Sequence, residues 1–306
     1  MYTYKNGSYL VMILDDGTKI RYNKLNIYKP DRVENIDIKI TNQCDMGCAM
    51  CHENSTPDGE HADLIEVYPL IAHIPPYTEL AIGGGNPLCH PKFEFFIESC
   101  HDLNLICNVT VNKTHFTNPT YFKNLSFWKQ HNCLHGIGVS VFDVTDEEIE
   151  MLKKMDAVCH VIIGVTPISV LYKLAHSGLK VLILGYKEFR RGEVFYKLNS
   201  QRIENLKIIW SEWVSTAIKE RWYSVLSFDN LAIKQLDLKN KLSQEEWDSF
   251  FMGDDGIDGE FSSASMYIDL VKMEFAKNSC APLTERYSCK DFNNNVDDMF
   301  KYLLTK

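Results

Sequence analysis

Three cysteines, Cys44, Cys48 and Cys51, stand in one short segment, ITNQCDMGCAMCHENS at 40–55, in the spacing C-x3-C-x2-C. Thiols crowded this closely point to metal chemistry. Three thiolates on a tight loop can hold three corner irons of a cubane iron–sulfur cluster, leaving the fourth iron open to a small molecule as catalytic metal sites do. Gly47, between the first two cysteines, lets the backbone curl without a side-chain clash. The same thiols could instead take zinc, with a histidine as fourth ligand. His52 directly follows Cys51, and adjacent residues rarely reach one tetrahedral ion together, so His61 or His90 would serve. Spacing alone leaves both metals open.

Other polar groups gather near the ends of β-branched runs. LAIGGGNPLCHP (80–91) is a glycine-rich turn between a strand and a helix. Lys187, Arg190 and Arg191 in GYKEFRRG form either an anchor for a substrate carboxylate or phosphate, or a solvated charge run. Asn112 and His115 follow a third strand. Asp229 and Asn230 end a seventh, where they meet substrate or cap the next helix. No catalytic triad or carboxylate dyad stands out.

The elements that position these residues read as alternating strands and helices. Strand runs are NIDIKIT (35–41), ELAIGG (79–84), ICNVTV (106–111), GIGVSV (136–141), CHVIIGV (159–165), KVLILG (180–185) and YSVLSFD (223–229). Between them lie helix candidates: HPKFEFFIESCHDL, DEEIEMLKKM behind Thr145 as N-cap, and ISVLYKLAHSG closing on Gly178. Strands apolar on both faces, alternating with helices, predict a parallel α/β sheet, either a barrel or partial barrel or an open doubly wound sheet. In both, chemistry collects at the carboxyl ends of the strands, where the cysteines lie. The N-terminus, with NG and DDG turns, predicts a β-hairpin. Beyond Phe228 the sequence predicts a helical stretch (230–251), a Gly, Asp and Ser-rich loop (253–265), a second hairpin in MYIDLVKMEFAK, and a last helix from Val296 to Leu304. The expected domains are 1–33 as the hairpin extension, 34–230 as the barrel and 231–306 as a small hairpin-plus-helix appendage.

A net charge of −9, from 32 Lys and Arg against 41 Asp and Glu, argues against a broad nucleic-acid surface. No signal peptide or membrane span is evident, so the expected location is cytoplasmic, with the ten cysteines as thiols or metal ligands, not disulfides.

The cysteine spacing after the first strand resembles the signature of the radical S-adenosylmethionine (radical SAM) superfamily. The resemblance covers about residues 34 to 230 and implies a partial (β/α)6 barrel. It implies that Cys44, Cys48 and Cys51 bind a [4Fe-4S] cluster whose open iron takes the amine and carboxylate of S-adenosylmethionine. Met50 stands where the family usually has an aromatic residue and can pack beside the adenine. Gly83 and Gly84 align with the family's GGE motif, with Gly85 and Asn86 in place of its glutamate. Backbone carbonyls or the Asn86 side chain can still accept from the methionyl ammonium. HVIIGVTP matches the adenine motif at Ile162 and Gly164, with His160 and Pro167 at its other fixed positions, and Ser140 falls where a ribose or carboxylate contact is common.

What the resemblance implies chemically is reductive cleavage of S-adenosylmethionine to a radical that abstracts hydrogen from a peptide or small-molecule substrate. The electron would come from a donor such as flavodoxin or ferredoxin. The tail resembles a degenerate SPASM or twitch region; Cys280 and Cys289 are too few for a full auxiliary-cluster ligand set, so a cluster-free version is expected unless Cys89, Cys107 or another barrel thiol joins them. A radical SAM enzyme acting on a nucleotide or RNA, and a non-catalytic zinc- or cluster-binding interaction protein, are the competing readings.

Overall fold

The computed structural model describes residues 1–15, 17–250 and 263–306, apart from the side chains of 249 and 250. Its strands are β1 (Tyr2–Asn6), β2 (Tyr9–Ile13), β3 (Lys19–Tyr22), β4 (Asn35–Thr41), β5 (Glu79–Gly84), β6 (Ile106–Asn112), β7 (Gly136–Ser140), β8 (Val158–Ile162), β9 (Lys180–Leu184), β10 (Val225–Phe228), β11 (Ser265–Asp269), β12 (Glu274–Ala276) and β13 (Tyr287–Ser288). Its helices are α1 (Tyr68–Ala72), α2 (Phe93–Asp102), α3 (Lys113–Phe116), α4 (Pro119–Gln130), α5 (Asp146–Lys154), α6 (Ile168–Leu174), α7 (Arg191–Lys219), α8 (Asn230–Gln235), α9 (Gln244–Phe250) and α10 (Val296–Leu304). These elements fall into two compact units. One is Met1–Gln43 with Asp58–Asn108 and Gln244–Lys306, the other Cys44–Pro57 with Val109–Ser243.

In the first unit, β4 pairs in parallel with β5 on one side and β11 on the other, and β12 and β13 follow antiparallel. Ile36, Ile38 and Ile40 recur at the two-residue strand period and are buried. Helix α2 buries Phe93, Phe96, Ile97 and Cys100, the i, i+3, i+4, i+7 stripe of a helix laid on a sheet.

The N-terminal segment forms a three-stranded antiparallel sheet, β1-β2-β3, one strand more than the expected hairpin. A buried charge accounts for the extra strand. The Glu34 carboxylate is fully buried; it accepts from Asn6 at 2.8 Å and Tyr9 at 2.5 Å, and pairs with Arg21 on β3 at 2.9 Å. Lys19, also on β3, lies 3.6 Å away. An ionised carboxylate out of water needs such partners, and β3 brings both cations.

Near the C-terminus, β11 and β12 form the hairpin predicted in MYIDLVKMEFAK, and β11 also extends the β4 ladder, where Lys39 and Asp269 pair at 3.3 Å in the interior. The predicted 253–265 loop lies outside the described residues except for Ser263–Ser265. The predicted 230–251 helix is interrupted: α8 ends, Asp237 takes a left-handed conformation at φ 52, and α9 begins at Gln244. Asn295 caps α10 by accepting from the Asp298 amide.

In the second unit, β7, β8, β9 and β10 pair in parallel in that order. Val139, Cys159, Val161, Val181 and Ile183 are buried, while the alternate positions Ser140, His160 and Leu182 stand in register on the other face. Thr145 and Glu148 close a reciprocal capping box at the start of α5. Helix α7 runs 29 residues with a break at Asn199, whose side chain donates to the Phe195 carbonyl, and buries Trp210 and Trp213. No helix among the described residues is long and apolar enough to cross a membrane.

Candidate cofactor site

The cysteine segment of the second unit closes on itself. The Cys44 amide donates to the Thr56 carbonyl at 2.8 Å, the Cys51 amide to Cys48 at 3.2 Å and the Asn54 amide to Cys51 at 3.3 Å. Gly47 sits at φ +59, where a side chain would strain the backbone although nothing occupies the space beside it. All three thiols are free and half-buried. Burial pushes the Cys44 and Cys48 thiols up; a backbone hydrogen bond at Met46 is the main opposing effect at Cys44, and the Arg191 charge opposes the rise at Cys48. A metal entering the loop must displace those protons. Among the described residues, no three His, Cys, Asp or Glu side chains converge as around one ion. Three thiols on one short loop are the donor set that a cubane cluster takes.

Side chains from distant elements hold the loop on both arms. His115 on α3 donates from Nε2 to Asp45 Oδ1 at 2.7 Å; the carboxylate only accepts, so the proton is on Nε2. That bond holds the Asp45 carboxyl below its usual range. On the other arm, Arg190 donates to the Glu53 carbonyl at 2.9 Å and Arg191 to the Ser55 carbonyl at 2.7 Å. Lys187 approaches His52 at 3.4 Å. The basic run GYKEFRRG is therefore a brace for the cysteine loop. Arg190 holds a left-handed φ of 53, a conformation that costs about 1–3 kcal/mol and persists only where surrounding contacts enforce it.

Beside the loop lies a cavity of about 310 Å³ walled by Cys48, Met50, Asn112, Lys113, Ser140 and Asp143. Met46 and Phe142 add apolar surface. Burial opposes the charge on Lys113, but pairs with Asp143 and Glu148 prevail and raise its pKa. Asn112 both lines the cavity and caps α3, accepting from the Thr114 amide at 2.9 Å. A larger cavity of about 600 Å³ lies between Pro167–Ser169 and Gln201–Ile209; it contains no cysteine, histidine or carboxylate.

His160 sits next to Ser140 across the β7–β8 ladder. A Cβ on Gly138 would stand 2.3 Å from Cε1 and 2.4 Å from Nε2 of the His160 ring, so the missing side chain is what admits the imidazole. Burial pushes the His160 pKa down to about 4, and its Nδ1 is buried without a partner. Ile162 ends β8, with its amide bonded to Thr166 Oγ1.

Gly83, Gly84, Gly85 and Asn86 belong to the first unit. Gly84 has φ +107, and a Cβ there would lie 2.3 Å from the Thr41 carbonyl; at Gly85 it would lie 2.0 Å from the Gln43 carbonyl. These glycines let the end of β5 press against the backbone that leads into Cys44. The Asn86 amide donates to the Gln43 carbonyl at 2.7 Å, and its side-chain oxygen accepts from Leu88 at 3.2 Å, which engages the oxygen locally.

Asp229 caps α8 and also accepts from the Gly185 amide. Burial pushes the Cys289 thiol up to about 12, as for an inert core cysteine, while Cys280 is half-buried. Sequence reading did not single out Asp45, Glu53, Ser55, Lys113 or Gly138. Only the position of Asp45 inside the cysteine motif carried any signal.

Residues 38–166 match the Radical SAM superfamily. No curated protein matches the chain. Among solved structures, Streptococcus suis SuiB bound to the precursor peptide SuiA aligns over 89% of this chain and 65% of its own, with 10% identity and a TM-score of 0.61. SuiB bound to S-adenosylmethionine aligns over 89% and 66%, with 10% identity and a TM-score of 0.58. At that identity the likeness is one of fold, and this chain spans just under two thirds of SuiB's length. Residues 38–166, which include the cysteine loop, therefore carry a Radical SAM superfamily domain.

Proposed function

We propose that this chain is a radical SAM enzyme acting on a peptide, with Cys44, Cys48 and Cys51 holding a [4Fe-4S] cluster. When bound, that group supplies one electron to the sulfonium of S-adenosylmethionine, and the resulting 5′-deoxyadenosyl radical takes a hydrogen atom from substrate. The observation that carries the reading is the cavity in which Cys48 and Met50 of the cysteine loop face Ser140 and Asn112. Met46, Met50 and Phe142 give it apolar surface for an adenine and a sulfonium, while Ser140 and Asn112 offer hydroxyl and amide groups to ribose or carboxylate. Gly83–Asn86 is the proposed acceptor turn for the methionyl amine, and Ile162 the proposed adenine wall. The chain's own task is to position the target C–H bond and exclude water.

A peptide is preferred to a small metabolite because SuiB, the similar fold, was solved with a precursor peptide. The acidic net charge of −9 disfavours RNA. The reading includes a partial (β/α)6 barrel, a C-terminal region like a cluster-free twitch domain, a cytoplasmic setting and a flavodoxin- or ferredoxin-type electron donor.

Protein purified without oxygen should be brown, hold about four irons per chain, and release 5′-deoxyadenosine when reduced with S-adenosylmethionine. Replacing all three cysteines by alanine should abolish both iron and release. Colourless protein with one zinc, or release that survives the triple substitution, would overturn the assignment.

A further inference from the structure

We propose that Arg191 tunes the reduction potential of the cluster held by Cys44, Cys48 and Cys51, acting as a fixed positive charge behind the loop. The inference rests on the iron–sulfur reading of the loop.

Unlike Arg190, Arg191 has no carboxylate beside it among the described residues. Arg190 has the Glu53 carboxylate at 3.7 Å, and Lys187 approaches His52. Arg191 donates from Nη2 to the Ser55 carbonyl, its Nε is buried with no hydrogen-bond partner, and it forms no ion pair with any described residue. The guanidinium keeps its proton, and an anion held beside it would partly neutralise that fixed charge.

The loop is where that anion belongs. The next residue, Gly192, is buried, and a Cβ there would stand 3.4 Å from the Met50 carbonyl, between the second and third cysteines. Glu53, the neighbouring carboxylate on that arm, is engaged by Arg190 and His52.

The electrostatic consequence follows from the charge balance. Three thiolates around a doubly positive core leave the oxidised site at −1. One electron from an external low-potential donor takes it to −2, with no proton moved and no bond broken. A fixed cation out of bulk water stabilises the −2 state more than the −1 state, so Arg191 makes the cluster easier to reduce.

The test is an anaerobic potentiometric titration of the full chain, following the reduced cluster by electron paramagnetic resonance. Arg191→Gln should keep about four irons and lower the midpoint by about 59 mV, a tenfold change in the reduced-to-oxidised ratio at fixed poise. Arg191→Lys, which keeps the charge but not the fork, should titrate with the parent. An unchanged midpoint in Arg191→Gln overturns the proposal. If Gln loses iron, Lys decides: a Lys midpoint lowered by that full amount also overturns it. A parent chain without a cluster sinks the iron–sulfur reading and this inference together, whereas a clustered parent with an insensitive midpoint sinks the inference alone.

Discussion

The imidazole of His160 occupies the space that a side chain at Gly138 would need, across the ladder between two parallel strands. A methyl at 138 would stand 2.3 Å from the ring, and both residues lie on packed strands that cannot simply move apart. Gly138→Ala should therefore destabilise the fold by about 1–3 kcal/mol, the usual cost of overpacking. Adding His160→Ala should recover most of it, because the clash is pairwise. Urea unfolding of the two single variants and the double variant checks this; additive losses would show that the two positions do not compete for space.

His115 fixes the arm of the cysteine loop between Cys44 and Cys48 through Asp45. Residues that orient metal-binding groups typically change affinity about 10–100-fold when removed. His115→Ala and Asp45→Ala should each speed iron loss to a chelator, and the double variant should be no worse than either single one. Equal chelation rates in all four proteins would count against the anchoring role.

Burial alone would raise the Glu34 pKa, but Arg21, Lys19 and the Tyr9 hydroxyl prevail and hold it below its ordinary value. A carboxyl with a depressed folded pKa gives stability that is present above the unfolded value, about 4.3, and lost as pH falls through the folded value. Glu34→Gln should cost about 3–5 kcal/mol at pH 7, since it strands buried cations. The gap between parent and variant should narrow as the pH drops below about 4.3. A gap that stays constant with pH would mean that the carboxylate charge contributes nothing.

Much of the cysteine site was legible because its signal is local: three thiols and a glycine in one loop, after a strand whose isoleucines alternate. The strand runs from 35 to 229 were legible for the same reason, since two-residue alternation and turn residues are short-range patterns. The role of Arg190 and Arg191 was not, because their partners lie 137 and 136 residues away and a charge run reads the same whether solvated or engaged. His160, a departure from the family's adenine motif, becomes intelligible only beside Gly138, a pairing set by strand register. The stretch from 230 to 251 reads as one helix by propensity, and a single left-handed residue, Asp237, divides it.

The braces on the cysteine loop also dictate an order of events during biogenesis. Asp45 waits for a partner 70 residues downstream, and Glu53 and Ser55 for partners nearly twice as far away. The motif therefore leaves the ribosome before the residues that brace it have been made. Iron delivered to the nascent segment would meet three unrestrained thiols. Under the proposed iron–sulfur reading, iron delivered after synthesis has passed Arg191 would meet thiols whose loop is already braced.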